Sequence, residues 1–212
     1  MRPSPAVPVI VVALAFGAAL ASSSARAAGA PAASQASPAP DPALGPALER
    51  ARAAAQTLGG ALLKALAAEL QAGGPPQGIK ACSEIAPRIA VEQSKDGLAI
   101  RRVTQRPRNP ANAPDDWEKA GLEQLAAAHA LAALPPELSE IVGPAKGPRT
   151  LRYLKPIVIA QACLACHGEP SALDPAVRRS LAERYPHDKA TGYRAGDFRG
   201  AFSVSVSLPP AN

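Results

Sequence analysis

Methionine occurs once in the 212 residues, at position 1, so a chain that loses its leader keeps no thioether to ligate a metal. Histidine occurs three times (His129, His167, His187) and cysteine three times (Cys82, Cys163, Cys166), which keeps the ligand inventory small. An odd cysteine count in an exported protein leaves one thiol without an intramolecular disulfide partner. Aromatic residues make up only 3% of the chain, and the basic patches interleaved with stacking rings that read nucleic acid are missing. Nucleic acid is therefore not expected as a partner. No segment after the leader is apolar enough over the roughly 20 residues needed to cross a bilayer. No membrane span is expected in the mature protein. The formal charge of +6 is spread along the chain and supports no more than a mild preference for acidic partners.

What is present begins with a leader. Met1-Arg2, a short apolar run over residues 7–20 and the small-residue site Ala25-Arg26-Ala27 form the three-part layout of a secretory signal peptide over residues 1–27. A periplasmic, soluble mature protein follows, and loss of Arg2 and Arg26 lowers the formal charge by two. Residues 28–44 are Ala, Pro and Ser with almost no large side chains; they cannot bury enough apolar surface to offset ordering and read as a flexible tether. Residues 45–212 suit one domain.

In residues 46–72, Leu48, Leu58, Leu62, Leu66 and Leu70 recur at roughly helical spacing, which predicts a long N-terminal helix. Gly73-Gly74-Pro75-Pro76 forces a turn, and a second helix is expected over residues 77–93, with Pro87 able to kink it. Residues 98–104 read as a strand, residues 106–116 as a Pro/Asn loop, and Asp115 or Asp116 as the cap of a helix to about Leu134. Residues 150–161 are β-branched enough for a strand. Asp174-Pro175 opens a short helix, and Phe202, Val204, Val206 and Leu208 alternate with serines in a strand that buries one face. Helices and strands in this order predict an α+β domain around an antiparallel sheet.

Cys163-Leu164-Ala165-Cys166-His167 is C-x-x-C-H, the attachment signature of c-type haem. Two thiols three positions apart on one turn can each add to a haem vinyl group, and the next histidine then lies beneath the iron. One covalent haem c is the leading reading of the cofactor. A redox dithiol lacks the surrounding βαβ pattern; a structural zinc site would recruit Cys82 as fourth ligand; a plain disulfide is the third rival. With methionine gone, the second axial position falls to His129, His187, Cys82, a lysine, or nothing. Cys82 near a helix start is favoured as thiolate by the helix dipole, and is equally readable as a small buried hydrophobe. His129 reads as a packed helix residue, His187 as an exposed loop residue and Trp117 as a core or helix-start anchor. Arg101, Arg102, Arg106 and Arg108 are candidates to neutralise haem propionates, with solvated surface as the simpler reading of each.

The segments around Cys82 (KACSEIAPRIA), residues 101–118 (RRVTQRPRNPANAPDDWE), the haem motif (YLKPIVIAQACLACHG) and residues 185–206 together resemble the monohaem c-type cytochromes with a PAS-like fold. That family was long catalogued as a domain of unknown function and comprises stand-alone periplasmic proteins and sensor regions of histidine kinases. The resemblance covers about residues 79–206. It implies a PAS-like antiparallel sheet flanked by helices, His167 as one axial ligand, Cys82 as the other, and a stand-alone member.

The function expected is low-potential one-electron transfer or redox sensing through a His/Cys-ligated haem, with an unidentified redox or signalling partner. A haem-based sensor of nitric oxide or carbon monoxide is the alternative. Peroxidase or sulfur-compound chemistry ranks last, because the sequence offers no second haem motif and no distal acid–base set; no catalytic residue is expected.

Overall fold

The computed structural model describes residues 41–144 and 146–210. The expected signal peptide and most of the expected tether lie outside the described residues. The last residues of that tether, Asp41 to Leu44, already belong to the domain. Asp41 pairs with the buried Arg149, whose Nε and Nη2 also donate to the Pro209 carbonyl at 3.0 and 2.7 Å.

Helix α1 (Leu44–Lys80) departs from helical geometry at Gly73 and Gly74, where Gly74 takes φ +69°. The interruption falls on the Gly-Gly-Pro-Pro turn. A π-helical turn (Ala81–Ile85) then carries Cys82 into α2 (Ala86–Gln93). Pro87 accounts for the wide turn: it has no N–H to give the Ser83 carbonyl and its ring crowds that oxygen. The Ala86 N–H reaches back five residues to the Ala81 oxygen instead. Such one-turn bulges recur at functional sites.

Strands β1 (Leu98–Val103), β2 (Leu138–Val142), β3 (Arg149–Val158) and β4 (Phe198–Leu208) form one antiparallel sheet in the order β1-β4-β3-β2. The α+β class, the antiparallel sheet and the long N-terminal helix agree with the sequence reading. β2 was not anticipated: it is a five-residue edge strand with weak alternation directly after Pro135-Pro136.

Both faces of the sheet are covered. On one, Ala47, Ala51, Ala55 and Leu58 of α1 pack on Ile100, Leu151, Tyr153, Val204 and Val206. An alanine stripe joins the leucine row of the sequence pattern in this contact: Leu58 is buried and Leu48 and Leu62 pack against the cluster, while Leu70 is exposed. Small side chains let helix and sheet approach closely. On the other face, Leu122 and Leu125 of α3 (Asp116–Ala130) meet Val103, Leu154 and Ala201. The serine side of β4 is therefore not simply solvated: Ser203 is buried and donates to Glu118 of α3 at 2.6 Å. Asp115 caps α3 in a reciprocal capping box with Glu118. No helix among the described residues is long and apolar enough to cross a membrane.

Gly200 is required where β4 passes the end of β1. Its φ is +142°, and a Cβ there would lie 2.3 Å from the Val103 carbonyl oxygen. Gly200→Ala is expected to cost at least about 2 kcal/mol, combining backbone strain with a contact that only backbone movement relieves. A thermal melt followed by circular dichroism should show Tm lowered by several degrees, and an unchanged Tm would contradict the assignment.

Candidate functional site

The C-x-x-C-H turn lies just after β3. A single 3₁₀ turn (Gln161–Cys163) runs into the four-residue helix α4 (Leu164–His167). The two thiols of this turn face different surroundings. Cys163 packs with Leu164 against Ile159, Ala190 and Tyr193, whereas Cys166 packs against Ile79 of α1 and Leu173, Val177, Leu181 and Tyr185 around α5 (Pro175–Arg184). All three cysteines are free thiols, so the disulfide reading is not adopted in this structure. Among the described residues no three His, Cys, Asp or Glu side chains converge as they would around one metal ion, which disfavours the zinc reading.

The chain following α5 wraps the turn. The Tyr193 N–H donates to the His167 carbonyl at 3.0 Å, and the Gly192 N–H to that of Gly168 at 2.7 Å. Arg108, 7% exposed, joins the two segments: it donates to Asp188 at 3.0 Å, the Cys166 carbonyl at 2.5 Å and the Ala190 carbonyl at 3.3 Å. The expectation of a solvated surface position does not hold for Arg108. Arg101 pairs with Glu118 of α3 and donates to the Ala111 and Ala113 carbonyls at 3.0 Å each.

His167 Nδ1 lies 2.6 Å from the Ala190 carbonyl oxygen. A carbonyl only accepts, so Nδ1 carries the proton and Nε2 keeps its lone pair. Burial, reinforced by the positive charges of Arg108, Arg199 and Arg102, pushes the imidazole pKa down to about 3. The ring is thus neutral near pH 7. One nitrogen is tied to the backbone and the other is free, the arrangement of a metal-ligating histidine.

Cys82, 81 residues before Cys163 in the chain, is brought to the same place. Burial pushes the Cys166 thiol up; Arg108 opposes this, and Cys82 and Cys163 add to it from within electrostatic reach. Burial and then Cys82 likewise raise Tyr185. A cleft of about 310 Å³ lies beside this segment. Leu58, Leu62, Ala86, Ala90 and Ile100 provide apolar lining, and Arg101, Arg102 and Asn109 provide polar lining. Arg102 belongs both to this cleft and to the charges around His167.

The other candidates lie elsewhere. His129 Nε2 is 2.8 Å from the Gly196 carbonyl oxygen and its ring lies beside Phe198. His187 is exposed. Trp117 sits at the start of α3, packs on its core and donates to Glu140 at 2.7 Å. Sequence reasoning missed Asp188, Tyr193, Arg199 and the Ala190 carbonyl as parts of the site. Only the resemblance of residues 185–206 pointed to that segment, because a backbone acceptor leaves no residue-type signal.

The structure is that of an α+β domain with a four-stranded antiparallel sheet, a C-x-x-C-H turn after β3 and a third cysteine on a π-turn. The chain belongs to the Tll0287-like family, whose profile matches residues 34–207. One solved structure, that of the cyanobacterial heme-protein Tll0287, aligns with TM-score 0.46 and 27% identity, covering 61% of this chain and 71% of that one. No curated protein matches.

Proposed function

We propose that this protein is a periplasmic monohaem c-type cytochrome of PAS-like architecture that transfers single electrons at low potential or senses redox state. In this reading residues 1–27 are the export signal, Cys163 and Cys166 hold one haem covalently, and His167 and Cys82 take the two axial positions. The carrying observation is His167 itself: neutral, with Nδ1 fixed on the Ala190 carbonyl, on the same turn as two free thiols. Membership in a family named for Tll0287, described as a heme-protein, supports it. The residues also fit the group. The cleft next to the π-turn of Cys82 is apolar on one side and carries Arg101 and Arg102 on the other, and the charge of Arg102 also acts on His167, which suits a flat apolar ring bearing carboxylates.

When bound, the haem supplies a one-electron couple at its iron. The protein's share is to fix the imidazole, enclose the turn and present the Cys82 sulfur. A thiolate donor favours ferric over ferrous iron, so the potential should lie below that of a His/Met site.

The test is to export the chain in a host with haem-attachment machinery and measure intact mass and the pyridine haemochrome spectrum. One covalent haem is expected on the processed chain, and none on Cys163→Ala/Cys166→Ala. A thiol-free double variant that still carried covalent haem, or a parent that never acquired one, would overturn the reading.

A further inference from the structure

Four arginines crowd this site, yet only one of them has an acid. Arg108 is held by Asp188. Arg106 lies 4.2 Å over the Tyr193 ring with its fork turned to the Lys189 and Thr191 carbonyls. Arg199, half-buried near the start of β4, also faces the Tyr193 ring, at 5.4 Å. Only its Nη1 is engaged, by neutral oxygens: Thr104 Oγ1 at 2.8 Å and the Arg106 carbonyl at 3.2 Å. Arg102, in the cleft wall, makes no hydrogen bond or ion pair among the described residues, unlike its three neighbours.

Arg102 and Arg199 are mutually repulsive and both bear on His167. Burying a guanidinium away from a carboxylate is costly; the acid that bears on Arg199 is Asp188, which is already paired with Arg108, so the pair carries excess positive charge. An arrangement like this is complementary to a dianion whose two negative charges sit close together.

We propose that Arg102 and Arg199 form a two-point carboxylate site that receives the two propionates of the haem, with Arg106 left as a brace on Tyr193. The inference rests on the haem reading above and adds its orientation: the carboxylate edge faces the β1 and β4 side, away from the Leu173–Val177–Leu181 cluster that packs on Cys166. Arg199 belongs to no segment from which the sequence suggested a propionate partner.

The experiment is redox titration of the holoprotein and of Arg102→Gln, Arg199→Gln, Arg199→Lys and Arg106→Gln, with haem content measured on every sample. A positive charge near the iron favours the ferrous state, so its loss lowers the midpoint. Arg102→Gln and Arg199→Gln should each raise the ferric-to-ferrous ratio at fixed potential about tenfold, or about 59 mV for one electron. Arg199→Lys should keep most of the parent's value, and Arg106→Gln should shift it less than either Gln variant of the pair. Arg102 has no hydrogen-bond or ion-pair partner among the described residues to lose, so its variant is the one in which a folding defect interferes least. Haem-bearing Arg102→Gln and Arg199→Gln samples with midpoints within twofold of the parent would overturn this proposal alone. A parent that carries no haem would overturn the underlying reading as well. A parental midpoint that moves with millimolar phosphate, and ceases to move in Arg199→Gln, would assign the site to a free oxyanion and overturn the propionate assignment.

Discussion

Ferric Cys82→Ala protein is expected to lose the low-spin absorption and electron-paramagnetic spectra of the parent and to show a high-spin or water-ligated haem. The ligand inventory is short: the single methionine is Met1, His129 is committed to the Gly196 carbonyl, and His187 is exposed. Cys82 is the sulfur that the π-turn brings within electrostatic reach of Cys166. Removing an anionic donor destabilises ferric iron, so the midpoint should rise by at least about 59 mV, a tenfold change in the ratio of oxidation states. The variant should also bind carbon monoxide when reduced, because it leaves an axial position open. The same gas offered to the reduced parent tests the alternative role as a gas sensor, in which Cys82 is displaced by the ligand. A variant whose ferric spectrum matched the parent's would remove Cys82 from the iron. Covalent haem content should stay unchanged, since the proposed attachment thiols are Cys163 and Cys166.

Glu118→Ala is expected to destabilise the fold by about 3–5 kcal/mol, the usual consequence of stripping one partner from a buried ion-pair network. Glu118 is 2% exposed and is the hub of the α3 face. It pairs with Arg101, lies 3.5 Å from Arg152, accepts from Ser203 at 2.6 Å, and accepts the Asp115 N–H at 2.8 Å in the capping box. Alanine would leave the Arg101 guanidinium without its carboxylate and a buried hydroxyl and a helix-start N–H without their acceptor, while Arg152 would keep Asp115 at 2.7 Å. Urea unfolding monitored by tryptophan fluorescence is a direct measurement, because Trp117 sits next to the lost side chain. Glu118→Gln should recover part of the loss, keeping the acceptor oxygen while giving up the charge. A Glu118→Ala midpoint within about 0.5 kcal/mol of the parent would show the network to be decorative.

Much of the architecture was legible because its signals are local. The Gly-Gly-Pro-Pro break in α1, the Asp115 cap of α3, the Asp174-Pro175 start of α5 and the alternation in β4 each depend on neighbours within one or two turns. β2 was missed because a short edge strand after two prolines has little periodicity to read. The alanine stripe of α1 was missed for a related reason. Alanine is compatible with either a buried or an exposed helix face, so only the approach of the sheet distinguishes Ala47, Ala51 and Ala55 from the exposed alanines around them.

The sequence by itself determined the chemistry on offer: the spacing of Cys163, Cys166 and His167, an odd third thiol at Cys82, and no methionine beyond position 1. These are covalent facts, independent of the fold. The tertiary structure decided which of the remaining groups that turn meets. It brought Cys82 within electrostatic reach of Cys166, gave His167 a backbone carbonyl that fixes its tautomer, paired Arg101 with Glu118, and recruited Arg199 from β4. Those outcomes depend on sheet pairing and on strand parity, where a one-residue shift exchanges faces, and pairing between distant segments leaves no mark in the spacing of any single one.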